Sequence, residues 1–220
     1  GVVVTDWGGS TDRVAGLKCG NELDMPGCRY GVEDVLAALE KGEIEESLLD
    51  ESIERLLTLS EFTQKKEVKD FDKEAHNELA KEASEKSAVL LENDGTLPLS
   101  GRERVAVIGD FAFRPRYQGA GSSIVNPVML TSAAEELKKS SFPAIFFGRG
   151  FERYGKDNKK LFREAERISA QSDVTLFFAG LDEYSEAEGI DRADMKIPQN
   201  QIKLFKALVS SGRRVVLILH

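Results

Sequence analysis

Cysteine and histidine are nearly absent from this chain, two of each in 220 residues. Cys19 and Cys28 have no further Cys or His nearby from which a zinc set could be built. They read as free thiols of a reducing compartment, which excludes a disulfide scaffold. Positive charge is also in deficit: 30 Lys and Arg stand against 38 Asp and Glu, a net charge of −8. That balance argues against nucleic acid or an anionic membrane as partner, since both require a clustered basic surface. No apolar run approaches the roughly 20 residues that span a bilayer, and no signal peptide heads the chain. Phosphate-binding loops are missing too. Gly119 and Gly121 have neither the GxGxxG spacing nor the Lys-Ser/Thr ending of a P-loop, so a nucleotide site is not expected.

What is present is a globular composition, 41% hydrophobic, enough to bury a core in one large or two small domains. The chain begins GVVVTDWGGS, with four strand-forming residues leading to Asp6. A glycine-rich loop follows. GVEDVLAALEKG then repeats Val32, Val35, Leu36 and Leu39 at helical spacing, and EESLLDESIERLLTLSEF repeats Leu49, Ile53, Leu56 and Leu57. Mixed charge without period around residues 63–71 reads as a linker. Beyond it AVLLEN, VAVIGD, AIFFG, VTLFFAG and VVLIL are short apolar runs, and amphipathic helices separate the later ones. Near-continuous apolar strands joined by helices predict a parallel sheet covered on both faces, an α/β fold.

In such sheets ligands gather beyond the carboxyl ends of the strands. Two loops therefore carry the functional expectation: RPRYQGAGSSIVNP after VAVIGD, and LDEYSEAEGIDRADMKIPQNQ after VTLFFAG. In the first, two glycines allow close backbone approach, with the hydroxyls of Ser122 and Ser123 beside them. The second gathers Asp182, Glu183, Glu186, Glu188 and Asp191 with Arg192 as close cation. It reads as a solvated acidic loop or, because Gly189 permits a sharp turn after Glu188 and Pro198 ties the far end, as a loop that holds a carboxylate still. Asp6, at the tip of an apolar strand, reads equally as a turn cap and as a catalytic acid. Trp7 beside it is the one tryptophan, suited either to the core or to gripping a sugar ring by its apolar face.

Taken in order, these segments resemble glycoside hydrolase family 3, the β-glucosidase type with a barrel followed by an α/β sandwich. GVVVTDWGG is similar to the family's seventh-strand motif, with Thr5 in place of the usual serine, and KCGNELDMPG to the segment that follows it. HNELAKEASEKSAVLLENDGTLPL, YQGAGSSIVNP and EAEGIDRADMKIPQNQ resemble successive motifs of the second domain, with Glu92 where the family usually has lysine. The resemblance implies the remainder of a (β/α)8 barrel over residues 1–60, a linker over 61–73 and a largely parallel sandwich domain over 74–220, with both ends expected to be incomplete.

It implies a retaining β-glycosidase acting on terminal β-D-glucosyl residues of β-linked oligosaccharides or aryl and alkyl β-glucosides. A β-xylosidase or a catalytically silent carbohydrate-binding module is the alternative. Asp6 is then the nucleophile and Glu188 the acid/base. Trp7 and Ser122 contact substrate, and Tyr117, Gly119, Gly121, Asp191 and Arg192 support the site. Glu188 is expected to have a raised pKa, and Arg192 to brace Asp191 rather than approach Glu188. No metal or organic cofactor is implied. A cytoplasmic location, a homo-oligomer in the full-length form and inactivity of the fragment alone complete the expectations.

Overall fold

The computed structural model describes residues 1–27, 29–64, 67 and 70–220. Cys28 and four positions of the expected linker, Lys65, Lys66, Val68 and Lys69, lie outside the described residues. The chain divides by internal contact into two units, Gly1–Phe71 and Asp72–His220.

The described residues of the first unit form three helices, α1 (Arg13–Lys18), α2 (Arg29–Glu40) and α3 (Glu46–Gln64). Asp12 starts α1 by accepting a hydrogen bond from Ala15 N. Leu17, Ala38 and Ile44 are its buried apolar residues, with Val35, Leu39 and Leu49 packed around them. The opening apolar run does not form the expected strand. Its regular pairing is a single parallel bridge between Val4 and Leu23, reinforced by Thr5 N donating to Leu23 O and Gly8 N to Met25 O. A strand needs a ladder on at least one side to persist over several residues, and residues 22–25 supply only a short one. The pairing is nevertheless anchored. The buried Glu22 carboxylate accepts from Val3 N at 2.7 Å and from Arg55 Nη1 at 2.9 Å, and these bonds, the Val3 amide foremost, hold it below the usual carboxylate range. Met25 N donates to Thr5 Oγ1 at 2.8 Å, a role the hydroxyl of serine would also fill.

The second unit opens with α4 (Lys73–Ser87), capped by Asp72. Residues 88–93, expected as a strand, form none. Val89, Leu90 and Leu91 are exposed and no ladder partner faces them among the described residues. Apolarity alone does not make a strand where no neighbour completes its backbone hydrogen bonds. The alternation then begins: β1 (Arg104–Ile108), α5 (Ala133–Lys138), β2 (Ala144–Gly148), α6 (Lys159–Ala170), β3 (Val174–Ala179), α7 (Gln199–Ser210) and β4 (Arg214–Leu219). All pairings are parallel, in the order β2-β1-β3-β4. The two inner strands read RVAVI and VTLFFA, and every residue of β3 is buried, as a strand covered on both faces requires. Phe111, Phe151, Ala165, Ile168, Leu204 and Leu208 complete this core from the connecting segments.

The chain leaves β1 toward β2 on one side and enters β3 on the other. The segments following β1 and β3 therefore part at the middle of the sheet, the place where open α/β sheets form a crevice. Both loops singled out from sequence arise there.

Candidate active site

Asp110, directly after β1, is 2% exposed and is surrounded by arginines. Arg114 donates to its Oδ2 at 2.7 Å, Arg149 to its Oδ1 at 3.1 Å and Arg153 to its Oδ2 at 3.2 Å. Arg153 also lies 4.3 Å over the Phe111 ring and forms a two-point ion pair with Glu183. Burial opposes its charge, but Glu183 and Asp110 more than offset this and raise its pKa, while Glu183 is lowered by the same bonds. The bases of the two loops are thus joined through one buried charge cluster.

The far end of the acidic loop is fixed separately. Gln201 of α7, fully buried, donates through Nε2 to Gly180 O at 2.9 Å and accepts from Gly180 N at 3.0 Å. Asp182, also buried, accepts from Tyr184 N, Ser185 N and Ser185 Oγ. The tie expected at the Pro198 end therefore exists, and it is made by the glutamine three residues on.

Between these anchors Glu188 meets the serine loop. Its main-chain N donates to Ala120 O at 3.0 Å, and its Oε2 accepts from Ser122 N at 2.5 Å. Gly121 makes this approach possible. Its φ is +106°, and a Cβ there would stand 2.5 Å from Glu188 Cβ and 2.7 Å from Oε2. Gly189, at φ +76°, supplies the expected turn. Glu188, Tyr117, Gly119 and Ala120 line a cleft of about 500 Å³ together with Arg116, Glu186 and His220.

Two expectations are corrected. The Glu188 pKa is lowered, not raised, because Ser122 donates to the carboxylate and the group is exposed in the cleft. Arg192 does not brace Asp191: it lies 3.8 Å from Glu186 Oε1, and Asp191 is exposed. Ser122, expected to contact substrate, donates its main-chain N to Glu188 Oε2. Tyr117 is half exposed, its hydroxyl accepting from Gln118 Nε2. In the first unit Asp6 is exposed and its carbonyl accepts from Gly9 N, while Trp7 is 72% exposed, which removes the core reading of that ring.

Two cleft residues were not anticipated. Arg116 donates to Glu186 Oε2 at 2.9 Å, to Glu186 O at 2.9 Å and to Leu181 O at 3.4 Å. Its place in the same RPRYQ segment as the glycines was the available signal. His220 stacks on Phe111 and Phe178, each at 5.9 Å, and burial followed by the Arg153 charge pushes its pKa down; as one of only two histidines it gave no pattern. Among the described residues no group of three His, Cys, Asp or Glu side chains is arranged to hold a metal, and no helix is long and apolar enough to cross a membrane.

Comparison with known proteins follows the same lines. Residues 88–220 match the family model for the glycosyl hydrolase family 3 C-terminal domain. The whole chain is 39% identical to thermostable beta-glucosidase B of Acetivibrio thermocellus and 34% identical to an exo-alpha-(1->6)-L-arabinopyranosidase of Bifidobacterium breve, covering 30% of each. Among solved structures it is similar over its full length to the GH3 beta-glucosidase of Bifidobacterium adolescentis, with TM-score 0.84, 34% identity and 33% of that chain covered. The chain thus spans about a third of the length of the relatives it matches. With a parallel α/β domain of matching sequence and topology, it belongs to glycoside hydrolase family 3.

Proposed function

We propose that this chain supplies the two catalytic carboxyl groups of a retaining β-glycosidase, Asp6 as nucleophile and Glu188 as acid/base. The observation that carries the reading is the grip on Glu188: a carboxylate fixed at its main chain by Ala120 and at its oxygen by Ser122, in a cleft at the crevice of the sheet. Double displacement needs a nucleophilic carboxylate and a second carboxyl about 5 to 5.5 Å from it. In the first step Asp6 bonds to the anomeric carbon as the glycosidic bond breaks and Glu188 gives its proton to the leaving oxygen. In the second, Glu188 takes a proton from water, the resulting hydroxyl bonds to the anomeric carbon, and Asp6 departs.

Hydrogen bonding from Ser122, side chain first and amide second, favours the charged form of Glu188, which suits the second step. The first step requires the proton, so substrate must raise the pKa by excluding water from the cleft and weakening the Ser122 bond. Trp7, its ring exposed, is suited to stack on the sugar. Names of relatives support glucosides as the substrate class, and the arabinopyranosidase among them supports variation in the sugar accepted.

The nucleophile is tested by trapping. A chimera carrying this chain in place of the matching segment of the Acetivibrio relative is treated with a 2-deoxy-2-fluoro β-glucoside bearing a good leaving group. Mass spectrometry should find the fluorosugar on the peptide containing Asp6. Labelling of another carboxylate would reject the assignment.

A further inference from the structure

We infer that Arg116 is a positioning residue for Glu188, the clamp that sets where the acid/base carboxyl stands; the inference builds on the acid/base reading above. Arg116 belongs to the connection after β1, and all three of its acceptors belong to the loop after β3, 65 to 70 residues away. Its side chain is 12% exposed. One nitrogen of the guanidinium bonds the Glu186 carboxylate and the other bonds the Glu186 carbonyl, so side chain and main chain of one residue are fixed together. The planar fork of arginine can do this and a single ammonium cannot.

The consequence reaches Glu188 through two peptide units. Asp182 already pins residues 184 and 185, and Arg116 pins 186. Glu188 N then meets Ala120 O, on the same segment as Arg116 and four residues further along. The serine loop therefore grips the acidic loop at 186 and again at 188. The second grip, with the Ser122 bond, depends on the first to bring the main chain into register. Without Arg116 the stretch from 186 to 188 regains backbone freedom, which must be lost again each time the Glu188 grip forms. The same bonds occupy Glu186, which leaves Glu188 as the carboxylate of the pair that faces the cleft without a cation bonded to it. Arg192, at 3.8 Å from Glu186 Oε1, is beyond hydrogen-bond distance and does not replace the fork.

The test is an NMR pH titration of the 220-residue chain between about pH 3 and 7, following the Glu188 carboxyl carbon and the Ser122 amide in the wild type, Arg116→Ala, Arg116→Lys and Glu186→Gln. In the wild type the Ser122 amide should shift as Glu188 titrates, with a midpoint below the ordinary 4.5. Arg116→Ala should return the midpoint to the ordinary value and remove roughly half or more of the Ser122 shift, while resonances of α6 and α7 stay in place. Arg116→Lys and Glu186→Gln should fall between; they decide the matter should the alanine variant not fold. An unchanged midpoint and amplitude in the folded variants would overturn the inference. Because the readout is the carboxyl itself and not turnover, it stands or falls separately from the catalytic assignment. A midpoint that moves in a protein whose turnover ignores Glu188 would leave the clamp and remove the acid/base reading.

Discussion

The two units of this chain draw on similar apolar sequence and treat it differently. In the second unit Val105, Val107, Ile108 and Phe177 are fully buried, because β1 and β3 find parallel partners within the chain and helices cover them. In the first unit the periodic residues split. Val35, Leu39 and Leu49 pack around the small core, while Val32, Leu36, Ile53 and Leu57 are exposed, as are Val3 and Val4 of the opening run. Amphipathic period identifies the face of a helix that seeks a partner. Whether the partner lies in the same stretch of chain is a matter of topology, and the sheet unit contains more of its own.

Substitutions in the two units should differ in cost accordingly. The largest effect is expected from Phe177→Ala, which should cost about 3 to 5 kcal/mol in urea unfolding. Asp110→Ala comes next. Removing the buried anion leaves Arg153, itself 4% exposed, with one carboxylate instead of two, and a loss of about 3 kcal/mol is expected by the same measurement; near-neutrality would show that the cluster is ornamental. Gly121→Ala must strain the loop or displace Glu188, at about 1 to 3 kcal/mol, and should quench the pH response of the Ser122 amide.

A smaller effect lies in acid. Asp173 is held at about 2 by the Arg104 side chain and amide, from an ordinary 3.8. A lowered carboxylate stabilises the fold above its unfolded value and loses that contribution as pH falls. The melting temperature should therefore drop between pH 3.8 and about 2, less steeply in Asp173→Asn. Parallel slopes would assign the acid sensitivity elsewhere. Smallest of all, Leu57→Ala in α3 should stay within about 0.5 kcal/mol. A cost near that of Phe177→Ala would erase the contrast between the units.

The sequence was most legible where local pattern and long-range pairing agree. VAVIGD, AIFFG, VTLFFAG and VVLIL are strands because each is apolar and each has a neighbour. AVLLEN is as apolar and is not one, since nothing pairs with it among the described residues. In the site, Glu188, Tyr117, Gly119 and Gly121 could be found because loops after parallel strands converge and because the motifs of the family mark them. Arg116 was hidden because its three bonds span 65 residues or more, and no spacing rule reaches that far. The Glu188 pKa was misjudged in direction for a related reason. An acid catalyst needs burial, whereas Glu188 is exposed and hydrogen bonding from the Ser122 side chain, with its main-chain amide, favours the charged form.

Glu188, held by the serine loop, carries the proposed acid/base role. That role is tested most directly by turnover of the chimera with Glu188→Ala or Glu186→Ala, with and without azide. The account predicts that Glu188→Ala lowers hydrolysis of an alkyl β-glucoside by about 10²- to 10⁴-fold. With an aryl substrate, azide should restore turnover and yield the β-glucosyl azide, while Glu186→Ala shows a smaller loss that azide leaves unchanged. Azide rescue of Glu186→Ala, with Glu188→Ala near wild type, would contradict it.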